Sequence, residues 1–157
     1  MATGTRELNV DGHRIGDSRR AGRVDWSRLA TVGVVLAIVA TGANLALALG
    51  LRSLLTIPAR FEPLGVPSVA SFTIIGMFAA TVVFAWTVAV RKEPVRKFVG
   101  MAIAALFISW LPDLLVLVTG VFPGTTVSGV FGLMSLHLVA ATCAVVLLAR
   151  FGLAERS

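Results

Sequence analysis

Asn44, Ser109, Asp113 and His137 could each take part in proton, ion or ligand chemistry, yet each lies within an otherwise apolar run. Asp113 carries the most consequence, because an ionisable group in hydrocarbon is costly and is retained where it pairs, binds or moves a charge. Ser109 precedes it by one helical turn on the same face. His137 is flanked by Ser135 and Thr142, and Arg52 stands two turns beyond Asn44. The residue before Asp113 is Pro112. It cannot donate to the carbonyl of Ile108, and its ring presses on that carbonyl, so a kink is expected there. A helix restarting at Pro112 would put Asp113 in its first turn, where unpaired amides and the helix dipole favour negative charge. Discontinuous transporter helices build ion sites in this way. The same placement also suits an acid with a purely structural role, as a helix-start cap or an interhelical hydrogen-bond partner. For His137 the simpler reading is a neutral imidazole bonded across helices, and for Asn44 it is helix-pairing glue.

Two enzymatic readings fail on the same residues. Ser109, His137 and Asp113 have the side-chain types of an acyl-transfer triad, but Ser109 and Asp113 share one helix face and no oxyanion-donor loop is apparent, so no catalytic residue is assigned. As metal ligands, His137 and Asp113 supply two groups where three are usual, and His13 is stranded in the N-terminal tail. Neither a metal nor another cofactor is expected. Cys143 is the single cysteine, which excludes an intrachain disulfide or paired-thiol site and leaves it as a small packing residue.

The elements that must position these groups follow from composition. Of 157 residues, 57% are hydrophobic and 14% charged, and the mean hydropathy is +0.90. These values exclude an ordinary soluble domain. Apolar runs cover residues 29–51, 68–90, 98–119 and 129–149, each close to the roughly 20 residues that cross about 30 Å of hydrocarbon as a helix. The third run tolerates its acid: a central Asp costs about 3 kcal/mol, while each of a dozen or so Leu, Ile, Val and Phe returns about 0.3 to 0.6 kcal/mol. Backbone satisfaction in lipid requires helices or a closed barrel, and the runs lack a barrel's alternation. The expected fold is all-α, a four-helix transmembrane bundle with antiparallel neighbours. At about 1.5 Å per residue, Asn44 and Asp113 then lie about 22 Å from the cytoplasmic ends and His137 about 18 Å, in one polar layer.

The net charge of +6 is a topology signal. Arg6, Arg14, Arg19, Arg20, Arg23 and Arg28 precede the first run, Arg91, Lys92, Arg96 and Lys97 separate the second from the third, and Arg150 and Arg156 follow the fourth. The other side holds only Arg52 and Arg60. The positive-inside rule therefore predicts a multi-pass membrane protein with both termini cytoplasmic. Its expected partners are the lipid bilayer, with anionic lipid near the basic segments, and a further copy or a protein partner, rather than nucleic acid. Residues 1–27 read as a disordered basic tail, 28–150 as the membrane domain and 151–157 as a short second tail. The tail lacks a cleavage pattern suited to a secretory signal, so the first span is expected to be retained.

The connections differ in character. Residues 52–67 carry Pro58, Pro63 and Pro67 and read as a structured loop able to cap the bundle. Residues 91–97 hold Pro94 in a short hairpin turn, and Phe122-Pro123-Gly124 marks a second turn. Gly42/Ala46/Gly50, Gly76/Ala80 and Gly100/Ala104 recur at four-residue spacing and predict close helix packing within the chain ahead of a dimer interface.

Ala43-Asn44-Leu45, residues 62–66 (Glu-Pro-Leu-Gly-Val), residues 107–113 (Phe-Ile-Ser-Trp-Leu-Pro-Asp) and residues 134–141 (Met-Ser-Leu-His-Leu-Val-Ala-Ala) resemble the hallmarks of a family of small actinobacterial four-helix membrane proteins classed as a domain of unknown function. The resemblance covers about residues 28–150, with Ser135 standing between Met134 and Leu136-His137 where the family pattern has Met directly before His. It implies the fold and topology and no particular reaction. Twelve arginines against two lysines, with abundant Ala, Val and Gly, accord with a high-GC bacterial source, so the expected location is a bacterial cytoplasmic membrane. The functional expectation is a non-enzymatic protein with a partner-binding or regulatory role; the alternative is a small proton- or ion-coupled transporter using the Asp113/His137 layer.

Overall fold

A computed structural model describes residues 25–153. Most of the expected basic tail, with His13 and the arginines from Arg6 to Arg23, lies outside the described residues, as does Arg156. Among the described residues the backbone forms α1 (Trp26–Leu54), α2 (Val66–Val90), α3 (Pro94–Thr119) and α4 (Val127–Phe151), with one 3-10 turn at Glu62–Leu64 and no strand. Each of the four helices is long and apolar enough to span a membrane.

All four begin before their apolar runs, because polar and proline residues start helices that hydropathy alone does not reveal. Asp25 caps α1, its carboxylate accepting from the Arg28 amide at 3.1 Å and the Ser27 hydroxyl at 2.8 Å. The Arg28 amide bond, followed by the Ser27 hydroxyl, holds the Asp25 carboxyl below its ordinary value. Pro67, expected in the loop, lies in the first turn of α2, and Pro94, expected within a turn, opens α3. The connection between α2 and α3 is thereby reduced to residues 91–93, where Glu93 pairs with Arg96 at 2.9 Å. The Thr126 hydroxyl accepts from the Gly129 amide at 3.1 Å and caps α4. Gly120 ends α3 in the left-handed conformation, with φ of 60°.

The helix does not restart at Pro112. α3 runs as one α-helix from Pro94 to Thr119, which puts Asp113 in its interior rather than its first turn. A single proline removes one backbone bond, and the intact turns on either side carry the helix through.

Packing divides the chain unevenly. One core cluster gathers Leu29, Leu36 and Ala40 of α1, Met77 and Phe84 of α2, Phe98 of α3, and Ala144 and Leu148 of α4. Phe84 and Phe98 meet edge to face with ring centroids 5.1 Å apart. The second cluster joins Ala48, Val69 and Leu136 to Ile57, Phe61 and Leu64 of the 52–67 connection. That connection folds onto the bundle as a cap: Phe61 is fully buried, and its carbonyl accepts from Arg52 Nη2 at 2.9 Å. Of the residues of α3, only Phe98 and Asp113 are buried.

The close approaches do not follow the small-residue ridges. A Cβ added at Gly42, Gly50, Gly76 or Gly100 would meet nothing within 4 Å. One at Gly33 would come 2.9 Å from Thr81, and one at Gly129 would come 3.0 Å from the Phe61 ring. The reason is that lipid, like a packed helix, accepts a smooth apolar face, so spacing alone does not show which faces are covered.

Candidate functional site

Asn44, Asp113 and His137, placed in one layer by counting residues, and Ser109, one turn from Asp113, all line a single cavity of about 980 Å³. α1 contributes Asn44, which sits on the buried stripe Leu36, Ala40, Asn44, Ala48 and is 2% exposed. From α2 comes Thr73, on the buried positions Val69, Thr73 and Met77. α3 presents Ser109 and Asp113 one turn apart, and α4 presents His137 beside the buried Leu136. Most of the remaining wall is apolar, including Phe72, Gly76, Ala79 and Val83 of α2 and Ala105 of α3. Those five are exposed lining residues, so the cavity opens along the line between α2 and α3. The 52–67 connection closes part of one end with Glu62 and Pro63.

Two polar contacts organise the interior. Asn44 Nδ2 donates to Thr73 Oγ1 at 3.0 Å and joins α1 to α2 within the buried region. His137 Nε2 lies 3.3 Å from Asp113 Oδ2, joining α4 to α3. The second contact has ion-pair separation without hydrogen-bond alignment, and Asp113 Oδ2 has no hydrogen-bond partner among the described residues. Asn44 Oδ1 is likewise buried and unpartnered. Burial differs across the pair: the Asp113 side chain is 10% exposed and that of His137 is 41% exposed. The carboxylate is thus held in the wall, whereas the imidazole reaches the open space.

Ser109 is brought to the cavity but not to the histidine as an acyl-transfer nucleophile would be. Its hydroxyl donates to the Leu106 carbonyl at 2.7 Å, within its own helix. Ser135 and Thr142, the neighbours of His137 in sequence, bond back to Phe131 and Leu138 carbonyls in the same manner. Among the described residues no three His, Cys, Asp or Glu side chains come together as a metal would need. Cys143 packs beside the first core cluster.

Sequence reasoning missed Thr73 and Trp110. Thr73 looks like an ordinary β-branched residue of an apolar helix, although its seven-residue register with Ala80 and its four-residue spacing from Val69 and Met77 place it on one face. Trp110 Nε1 donates to the Met134 carbonyl at 3.2 Å, a side-chain bond between α3 and α4 that apolar patterning does not encode. No family model matches the chain, and no curated protein or solved structure matches it.

Proposed function

We propose that this chain is a non-enzymatic, multi-pass protein of a bacterial cytoplasmic membrane that binds an amphipathic small molecule in the cleft between α2, α3 and α4, in a binding or regulatory role. One observation carries this reading: polar side chains from all four helices line one open, largely apolar cavity. Such a mixture of apolar walls with a few convergent polar groups is the usual character of a ligand site. Antiparallel helices with both termini on the cytoplasmic side accord with the Arg28 bond to the Phe151 carbonyl at 2.9 Å, the Phe84–Phe98 contact and the basic-residue distribution. The resemblance to the four-helix actinobacterial family rests on the quoted motifs alone.

The test uses the full chain in lipid nanodiscs with 1-pyrenylmethanol, a neutral probe excited by energy transfer from tryptophan. Saturable binding above that of empty discs is expected, and Gly76→Phe, which fills open space at the cleft wall without adding a tryptophan donor, should abolish it. Transfer that rises without saturation, or that is unchanged by Gly76→Phe, would overturn the cleft as a binding site.

A second reading, a small proton-coupled transporter, is favoured by the Asp113–His137 contact at 3.3 Å. It predicts pH-driven uptake in proteoliposomes that Asp113→Asn eliminates. Equal flux with the wild type and the variant would remove it.

A further inference from the structure

The charged lining of the cleft has one sign. Among the described residues, Asp113 and Glu62 are its acidic residues, no Lys or Arg lines it, and His137 is its one basic-type side chain. An acid in an apolar wall is expensive unless a cation or donors meet it. Here the imidazole stands 3.3 Å away without hydrogen-bond alignment, and both Asp113 Oδ2 and Asn44 Oδ1 are buried acceptors with no donor among the described residues. Of the nearby hydroxyls, Ser109 donates to the Leu106 carbonyl, and Thr73 accepts the Asn44 amide while keeping its own O–H. A guest that completes this site must bring N–H or O–H donors and gains most by bringing positive charge. Its body must be apolar to lie against Phe72, Val83 and Ala105.

We infer that the cleft selects a lipophilic alkylammonium, with its charged head beside Asp113 and its apolar body along the gap between α2 and α3. This rests on the cleft being a binding site and adds the chemical class of its occupant. A carboxylate or phosphate head would confront Asp113 and Glu62 with no basic residue in the lining to offset them. An alcohol could supply a donor without the charge. An ammonium head at Asp113 would share the carboxylate with the half-exposed imidazole that stands 3.3 Å from it.

The experiment holds the body constant and changes the head. Binding of 1-pyrenylmethylamine, 1-pyrenylmethanol and 1-pyrenecarboxylate is measured on the full chain in zwitterionic nanodiscs, with empty discs and Gly76→Phe as controls. The amine should bind at least about tenfold more tightly than the alcohol, as expected for a hydrogen bond to a charged group, and the carboxylate most weakly. Asp113→Asn should remove the amine's preference over the alcohol, while Asp113→Glu keeps it. Equal saturable binding of all three heads, or an amine preference that survives Asp113→Asn, overturns the cation inference and leaves the cleft standing. Absence of saturable binding for every head overturns both. If Asp113→Asn fails to fold, the ranking of the three heads on the native chain decides the inference.

Discussion

The side of the bundle built by α1, α2 and α4 and the side formed by α3 have nearly the same hydropathy, 2.1 to 2.2 in their most apolar windows, yet they are used differently. In those windows 22–28% of residues are buried for α1, α2 and α4, against 6% for α3. The first three helices are fixed by interlocking side chains: Leu36, Ala40, Phe84 and Leu148 fill one cluster, and Phe61 and Leu64 close the other. α3 is anchored by Phe98 near its start and otherwise turns Asp113 toward α4 and a wall of small residues toward a cavity. Equal apolarity therefore serves two purposes, close packing on one side and a lipid-like lining on the other.

This contrast predicts a ranking of substitutions. The largest effect is expected at Phe84→Ala, where a fully buried ring is removed. Reversible unfolding in mixed micelles should show a loss of about 3 kcal/mol, at the low end for a buried Phe because lipid also solvates apolar groups. Phe107→Ala on α3, whose side chain is 58% exposed, should fall within about 0.5 kcal/mol of the native chain. If both lose the same stability, the division between the two sides is wrong.

Next come the glycines. Gly129→Ala drives a Cβ to 3.0 Å from the immobile Phe61 ring and should cost about 1 to 2 kcal/mol through overpacking. Gly100→Ala on α3 meets nothing within 4 Å and should be neutral or stabilising by up to about 1 kcal/mol through helix propensity. The same unfolding assay reads both.

A smaller effect separates the polar groups. Asn44→Ala breaks the bond between α1 and α2 and should cost about 1 kcal/mol, within the range for interhelical polar contacts in membranes. Ser109→Ala removes only a bond to its own helix and should change stability by less than about 0.5 kcal/mol.

The smallest effect lies at the start of α1. The Arg28 amide and the Ser27 hydroxyl hold the Asp25 carboxyl below its ordinary value in the folded chain. Its capping contribution is thus complete above that value and is lost as pH falls through the lowered folded value. The amide resonance of Arg28 should titrate with a midpoint below that of an ordinary aspartate, and Asp25→Ala should abolish that titration.

Much of the fold and the membership of the polar layer were legible in the sequence. Length and apolarity located every helix, and depth counting placed Asn44, Asp113 and His137 at one level because a helix converts residue number into height. What could not be read was azimuth. In a soluble helix the polar face reveals its opposite, but here the lipid face and the core face are both apolar, so periodicity hides which side of α3 meets the bundle. For that reason Gly42, Gly76 and Gly100 suggested contacts that the fold makes at Gly33 and Gly129 instead. Phe61 was equally opaque: its burial depends on a proline-rich connection folding back, a tertiary outcome with no local period.

The Trp110 bond to the Met134 carbonyl bears on how the bundle can deform. It pins α3 to α4 at mid-length, and the three-residue connection with the Phe84–Phe98 contact tethers its first turns to α2. With one flank stitched and one end moored, the freedom left to α3 is a pivot about its seam with α4. The displacement must grow with distance from Phe98, so the gap against α2 behaves as a caliper whose jaws part most toward Thr119 and whose throat stays fixed.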